Sequence, residues 1–416
     1  MTQNRGRVGF VALSLIVLSN GPLFFVTRKV FGIPDSWEGP FVRPMIVATV
    51  ATAIVVVLLD PYRRSGQRLR SPSMVALASA VGLGCWAALS TLWSLQPEIT
   101  LWRGVVYAGL PFVAWVIADL GRDDLARAVA LFGAAVVVPS VGFVIVWSSV
   151  ATDSNDDWRG VMTNRNGFAP ICGLAILAAM TLLSGTELSE RRRRLDVALL
   201  GLAGVGLLGS GSRTAWFALV LALGVATVVV VGRYEHIRSP RRGVLVASAV
   251  AVGAGSVGSV LALARVWNES TFVQRRTIWD LVGDRVSEHP IGGVGWEAFW
   301  YTPELHTHEL LTRGSAHGSI PELLLGVGVV GLVLWAIVVG LAIFGVVRAA
   351  WRNPSTETWF WLAAVTFLVV ENLTESFVLW FSYNWVLLIA AALRFGGRRP
   401  RPTARRNVEA MSTAIG

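Results

Sequence analysis

Apolar runs long enough to cross a hydrocarbon core recur along almost the whole chain, with short polar stretches between them. A helix rising 1.5 Å per residue needs about 20 residues to make that crossing. About twelve such runs are present, near 8–26, 44–59, 74–93, 102–119, 126–150, 167–184, 195–209, 214–232, 243–263, 320–347, 359–379 and 383–395. The pattern predicts an all-α polytopic membrane protein with about twelve transmembrane helices. The polar and aromatic interval 265–318 is too long for a simple connection and predicts a large extracytoplasmic loop containing short helices. Inside it Ile278, Leu281, Val282 and Val286 recur at helical spacing, which suggests a helix along the membrane surface with Arg275 and Arg276 near its start. The stretch HPIGGVGWEAFW then breaks that helix at Pro290 and supplies a glycine-rich turn.

Composition sharpens this picture. The 416 residues are 54% hydrophobic and 15% charged, with a mean hydropathy of +0.60, too apolar for a wholly water-exposed fold of this size. Lys29 is the only lysine, so the formal charge of +10 rests on arginine. The arginines form short clusters between apolar runs, which reads as membrane topology and not as a nucleic-acid surface. Arg5 and Arg7, then the clusters at 63–70, 122–127, 191–194, 233–242, 348–352 and 398–406, fall on alternate loops. The positive-inside rule therefore places both termini in the cytoplasm of a cell whose plasma membrane holds the chain. Arg28 and Lys29 run against the pattern. Residues 1–397 read as one membrane domain opening with an uncleaved first helix, and 398–416 as a disordered basic tail. Cys85 and Cys172 lie in apolar runs without ligand spacing and read as packing residues.

Several polar clusters interrupt this background. The stretch DSNDDWRGVMTNRNGF, from Asp153, crowds Asp156, Asp157, Arg159, Asn164, Arg165 and Asn166 at the start of the sixth run. It reads as a solvated loop with Asn166 as a helix cap, or as part of a site; the adjacent carboxylates alone are weak as cation ligands. GSGSRTAW joins the seventh and eighth runs and sets Arg213 at the mouth of a span, where it either snorkels to headgroups or binds an anion with its planar fork of donors. Four of the 5 histidines, His289, His306, His308 and His317, lie in 265–318. The His306–Thr–His308 spacing lacks a nearby third ligand, so no metal or other cofactor is expected. His317 stands at the start of the tenth run, and an imidazole suits the removal of a hydroxyl proton. Glu371 and Glu375 lie four residues apart in an apolar run, on one helical face, where they could orient Arg213 or His317.

In their order these stretches resemble the O-antigen ligase and polymerase superfamily of bacterial membrane glycosyltransferases. WAALSTLWSLQPEITLWRG is similar to the family's early segment, and RGVMTNRNGFA to its Gly and Asn-Pro-Asn segment, with Arg165 standing where proline is usual. GSGSRTAWFALVLAL is similar to the arginine hairpin. RRTIWDLVGDRVSEHPIGGVGWEAF followed by AHGSIPELLLGVGVVGLVLW is similar to the large periplasmic loop and the histidine-bearing helix start. The resemblance implies metal-independent, inverting transfer of a glycan from an undecaprenyl-diphosphate carrier to a glycan or glycolipid hydroxyl acceptor, outside the plasma membrane. It carries catalytic roles to His317, Arg213 and Arg276: the arginines engage the diphosphate and the histidine activates the acceptor. Arg275, Arg159, Asn166, Glu371 and Glu375 are second-rank binding candidates. Polymerisation of lipid-linked repeat units is the alternative within this class. A lipid-linked glycan flippase is a more distant alternative, and no fixed-period internal repeat favours it.

Overall fold

The structure, a computed structural model, describes residues 3–26, 42–59, 72–185, 189–231, 270–302, 314–379 and 382–397. Among these residues the fold is all-helical. Its α-helices are α1 (Gln3–Ser19), α2 (Gly21–Phe25), α3 (Val42–Leu59), α4 (Met74–Leu89), α5 (Pro97–Ala118), α6 (Arg122–Val146), α7 (Ser148–Ala151), α8 (Arg165–Leu183), α9 (Glu190–Gly209), α10 (Arg213–Val231), α11 (Ser270–Glu288), α12 (Ser319–Arg352), α13 (Thr356–Thr374) and α14 (Tyr383–Phe395). Single 3-10 turns occupy Ser90–Trp93 and Phe299–Tyr301. The expected span at 243–263, the clusters 63–70 and 233–242, Arg28, Lys29, His306, His308 and the tail 398–416 lie outside the described residues.

Eleven of the twelve expected runs carry helix, but only 7 helices among the described residues are long and apolar enough to cross a membrane. Those are α3, α4 with its following turn, α5, α6, α8, α10 and α12. The remaining four differ for visible reasons. In α1 the helix stops at Ser19, because Asn20 takes φ 58° and Pro22 starts a new turn. α9 opens with Arg191, Arg192, Arg193 and Arg194, and α13 carries Glu357 and Glu371. α14 has only 13 residues, yet Tyr383 to Leu393 are all buried inside the bundle. A helix so enclosed is shielded from lipid along its whole length, so its length need not match a bilayer.

Small residues set the helix contacts, as expected where lipid removes the hydrophobic gain of helix association. Gly84 and Gly104 let α4 and α5 touch backbone to backbone, since a Cβ on either would run into Ala108 or Ala88. Large apolar side chains face outward instead: Leu58, Leu59, Ile145 and Val146 are 67–85% exposed. Around α14 stand α12, α5, α4 and α13, while α10 packs on α13 and α8 on α6 and α9. Tyr107, fully buried in α5, ties this centre together. Its ring stacks on Trp385 at 6.1 Å and tilts against Trp296 at 5.1 Å, and its hydroxyl donates to the Val378 carbonyl at 2.9 Å.

The two ends of the bundle differ chemically. At one, Arg7 lies 3.0 Å from Asp119, and Arg394 donates to Glu357 and, at 2.9 Å, to the Leu120 carbonyl. This brings together the starts of α1 and α13 and the ends of α5 and α14. Arg348 donates to the Gly397 carbonyl at 2.9 Å, so the far half of α12 reaches the same end. The opposite end carries the tight α9–α10 hairpin, the start of α12, the end of α13 and the loop that follows α11.

Candidate functional site

The glycine-rich stretch after α11 does not lie free over this end; it is set into it. Gly328 leaves the helical region at φ 63°, ψ −164° and divides α12 into a short half beginning at Ser319 and a long half running to Arg352. Such a break frees backbone groups that are costly unless paired inside protein. The loop satisfies them: Val294 and Gly295 donate their N–H groups to the Leu325 and Gly326 carbonyls at 2.8 and 3.1 Å, while Val329 donates to Pro290 at 2.9 Å. Gly293, at φ 66°, passes so near Gly326 that a Cβ would lie 2.5 Å from its carbonyl carbon. The other face of the loop rests on the α4–α5 corner. Trp296 donates its N–H to Ser90 Oγ at 3.1 Å and accepts from Thr100 Oγ1 at 3.1 Å. Trp93 Nε1 donates to the Gly292 carbonyl at 3.3 Å. Next to it, buried Arg103 is paired with buried Glu297 and donates to the Tyr301 hydroxyl at 2.6 Å.

The short half of α12 holds His317 by its neighbours. Glu322, 2% exposed, accepts from Trp300 Nε1 at 3.0 Å, from Ser376 Oγ at 2.9 Å and from the Ala316 N–H. Ser376 Oγ accepts in turn from the Gly318 N–H at 3.1 Å. The peptide groups on both sides of His317 are thus fixed, which supports its φ of 50°, a conformation that side chains other than glycine rarely adopt. Trp279 of α11 adds a hydrogen bond to the Ala316 carbonyl at 2.7 Å.

Glu375 gathers the polar candidates. It is the residue just past the end of α13, in extended conformation. Its Oε1 accepts from Arg275 Nη2 and from Asn166 Nδ2, each at 2.8 Å. Its Oε2 lies 3.5 Å from His317 Nδ1, within ion-pair reach, although neither ring nitrogen makes a hydrogen bond among the described residues. Arg275 also donates to the Thr374 carbonyl at 3.1 Å. Of the two α11 arginines it is therefore Arg275 that enters the cluster, while Arg276 is exposed beside it. Glu371, one turn back and 1% exposed, faces inward without a hydrogen bond to its Oε1 among the described residues.

Arg213 begins α10 with an exposed side chain. Thr227 of the same helix accepts from Trp359 of α13 at 3.3 Å, and the two helices pack along their length, so they run antiparallel. Arg213 precedes Thr227 by as many residues as Leu373 follows Trp359. At a common rise per residue this sets Arg213 level with the end of α13 that carries Glu375.

The loop before α8 corrects one expectation. Asn164, not Asn166, caps the helix: its Oδ1 accepts from the Gly167 N–H at 2.7 Å. Asn166 is turned to Glu375 instead. Asp157 is paired with Arg165, the residue that stands where proline was expected, so Asp157 is not left as a cation ligand, and Asp156 is exposed at φ 60°. Arg159 spends one N–H on the Val150 carbonyl at 3.2 Å. Trp158 donates its N–H to the Gly209 carbonyl at 2.9 Å, seating this loop on the hairpin that leads to Arg213. Among the described residues no three His, Cys, Asp or Glu side chains gather as metal ligands would.

A cavity of about 190 Å³ opens beside Glu375, walled by the α1–α2 junction, the start of α8, Ser315, Ser376 and the start of α14. Sequence reasoning passed over this cavity, Ser376 and the Arg103–Glu297 pair, and noted Glu322 one turn after His317 without giving it a role. The rule that singles out arginines at span ends was available for Arg103. Nothing in a local pattern could have joined Glu322 to Ser376, which come from different helices.

No curated protein matches the chain in a sequence comparison. Residues 198–336 match the family model described as O-Antigen ligase. That segment, about a third of the chain, runs from α9 through the arginine hairpin and α11 to the broken helix with His317 and Glu322, and over it the chain is similar to the O-antigen ligase family.

Proposed function

We propose that the chain is a membrane glycosyltransferase that moves a glycan from an undecaprenyl-diphosphate carrier to a hydroxyl acceptor, ligase-like, at the outer face of the plasma membrane. The observation that carries this reading is the meeting of Arg275, Asn166 and His317 on Glu375. The sidedness rests on the arginine-rich opposite end of the bundle, which the positive-inside rule keeps in the cytoplasm together with both termini.

In this reading His317 takes the proton of the acceptor hydroxyl as its oxygen attacks the anomeric carbon. The bond from that carbon to the diphosphate oxygen breaks, the electron pair leaves with undecaprenyl diphosphate, and the configuration inverts. Glu375 holds the imidazole and offsets the charge it gains. Arg213 and Arg276 face the diphosphate, where guanidinium groups stabilise the charge developing on the leaving oxygen without a divalent cation. Arg275 stands behind them, anchored on Glu375. A polymerase differs only in its acceptor, a second lipid-linked repeat unit.

The test uses the full chain in nanodiscs with lipid-linked glycan and a glycolipid acceptor, in the presence of a chelator. New glycosidic linkage is expected from the unaltered protein and loss of it from His317→Ala and Arg213→Ala. Normal product from either variant, or movement of labelled carrier across vesicles with no new linkage, overturns the reading.

A further inference from the structure

We propose that the cavity beside Glu375 is a subsite for a neutral sugar ring, the one whose hydroxyl is presented to His317; this rests on the glycosyltransferase reading above. At about 190 Å³ it is smaller than the roughly 300–1,000 Å³ of pockets that take drug-sized ligands, and it suits a single ring. Its polar wall is made of amides and hydroxyls: Asn20, Asn164, Asn166, Ser315, Ser376 and Tyr383. Its apolar wall includes Phe377 and Leu379. That mixture matches a pyranose, which has a hydroxyl rim and a C–H face.

Two observations point to a ligand. Tyr383 is 3% exposed, lines the cavity, and its hydroxyl has no hydrogen-bond partner among the described residues. The buried Oδ1 of Asn20, another lining residue, has none either among the described residues. Buried polar atoms are normally paired, so two unpaired ones among the residues that line one cavity set it apart.

The alternative occupant is the diphosphate, because α8 and α14 both begin at this cavity and helix starts attract anions. Here one donor at each start is already engaged: Asn164 Oδ1 takes the Gly167 N–H at 2.7 Å and Ser382 Oγ takes the Asn384 N–H at 3.1 Å. Among the described residues the only ionic group in the wall is the Glu375 carboxylate, already paired with Arg275, and no cation in the wall offers itself to an anion. The same carboxylate faces His317, so a ring held here lies beside the proton acceptor.

Gly167 offers a way to fill the space. It lines the cavity, and a Cβ there meets nothing nearer than 3.5 Å, so Gly167→Leu starts from an unstrained Cβ and adds bulk to the cavity wall. The experiment measures binding of methyl glycosides of glucose, galactose, mannose and rhamnose to the full chain in nanodiscs by saturation-transfer NMR, with inorganic pyrophosphate as competitor. At least one glycoside is expected to bind. Its affinity should fall at least tenfold in Gly167→Leu and roughly three- to tenfold in Tyr383→Phe, which loses one hydrogen bond, and pyrophosphate should leave it unchanged. Binding that is equal in Gly167→Leu, absent for every glycoside, or displaced by pyrophosphate overturns the proposal. Glycan transfer by the unaltered protein is scored separately. Transfer without cavity binding removes the subsite and keeps the enzyme; cavity binding without transfer does the reverse.

Discussion

Oε2 of Glu375 lies 3.5 Å from Nδ1 of His317, while its other oxygen is held by Arg275 and Asn166. The carboxylate is thus anchored on one side and turned to the imidazole on the other, as expected of a group that orients a base. Loss of a positioned base typically costs 10²–10⁴-fold, so His317→Ala should fall in that range. Glu375→Ala should cost less, about 10- to 100-fold in turnover, because the imidazole remains but loses its orientation and its counter-charge. Glu375→Gln keeps the size and should fall between Glu375→Ala and the unaltered protein. Turnover and acceptor KM measured on the three variants check this ordering, and a Glu375→Ala protein with unchanged turnover refutes it.

Glu322 tests whether the backbone around His317 must be held. Three donors converge on its buried carboxylate, from Trp300, Ser376 and Ala316. A buried donor left unpaired costs about 1–3 kcal/mol. Glu322→Ala should therefore destabilise the fold by several kcal/mol, while Trp300→Phe, which removes a donor and not the acceptor, should cost only about 1 kcal/mol. Thermal unfolding in detergent reads both. A positioning role adds a second expectation, a changed pH profile of transfer in Glu322→Gln at temperatures where that variant is folded. An unchanged profile leaves Glu322 a structural residue only.

Arg103 and Glu297 form a buried pair joining α5 to the glycine-rich loop. Removing one member of such a pair commonly costs about 3–5 kcal/mol, because the other charge stays buried, whereas replacing both with apolar groups is often nearly neutral. Arg103→Leu and Glu297→Leu should each lower the unfolding temperature strongly, and the double variant should recover most of the loss. Additive losses in the double variant refute the pairing account.

Much of the architecture was written in local pattern. Apolar runs of span length located eleven described helices, and arginine clusters on alternate loops agree with Arg7 and Arg348 lying at one end. Local pattern located α14 at 383–395 but did not show that protein encloses it, and it did not show the breaks within runs at Asn20 and Gly328. In the candidate site His317 and Asn166 were visible as polar residues at span starts, Arg275 as a residue near the start of a surface helix and Glu375 as a carboxylate within an apolar run. Their shared contact was not, since it joins α8, α11, the start of α12 and the end of α13. The ranking of Arg276 above Arg275 came from motif position. The side chain that reaches Glu375 depends on the rotation of α11, which Ile278 and Val282 set by facing the protein.

The break at Gly328 makes the sharpest structural prediction. A side chain there meets two obstacles: φ 63° is a region that only glycine enters freely, and a Cβ would collide with the Ile291 carbonyl. Gly328→Ala should drive α12 toward a continuous helix. That would pull the Leu325 and Gly326 carbonyls away from Val294 and Gly295 and shift the short half that carries His317. Gly340, farther along the same helix, has open space where its Cβ would be, so Gly340→Ala should be neutral or slightly stabilising. Both variants should insert into the membrane. Protease cleavage within the loop after α11 and glycan transfer then separate them: Gly328→Ala should be cut faster and transfer at least about tenfold less, a loss of 1.4 kcal/mol or more in transition-state stabilisation, while Gly340→Ala should match the unaltered protein. If the two variants behave alike, the broken helix has no part in holding the site.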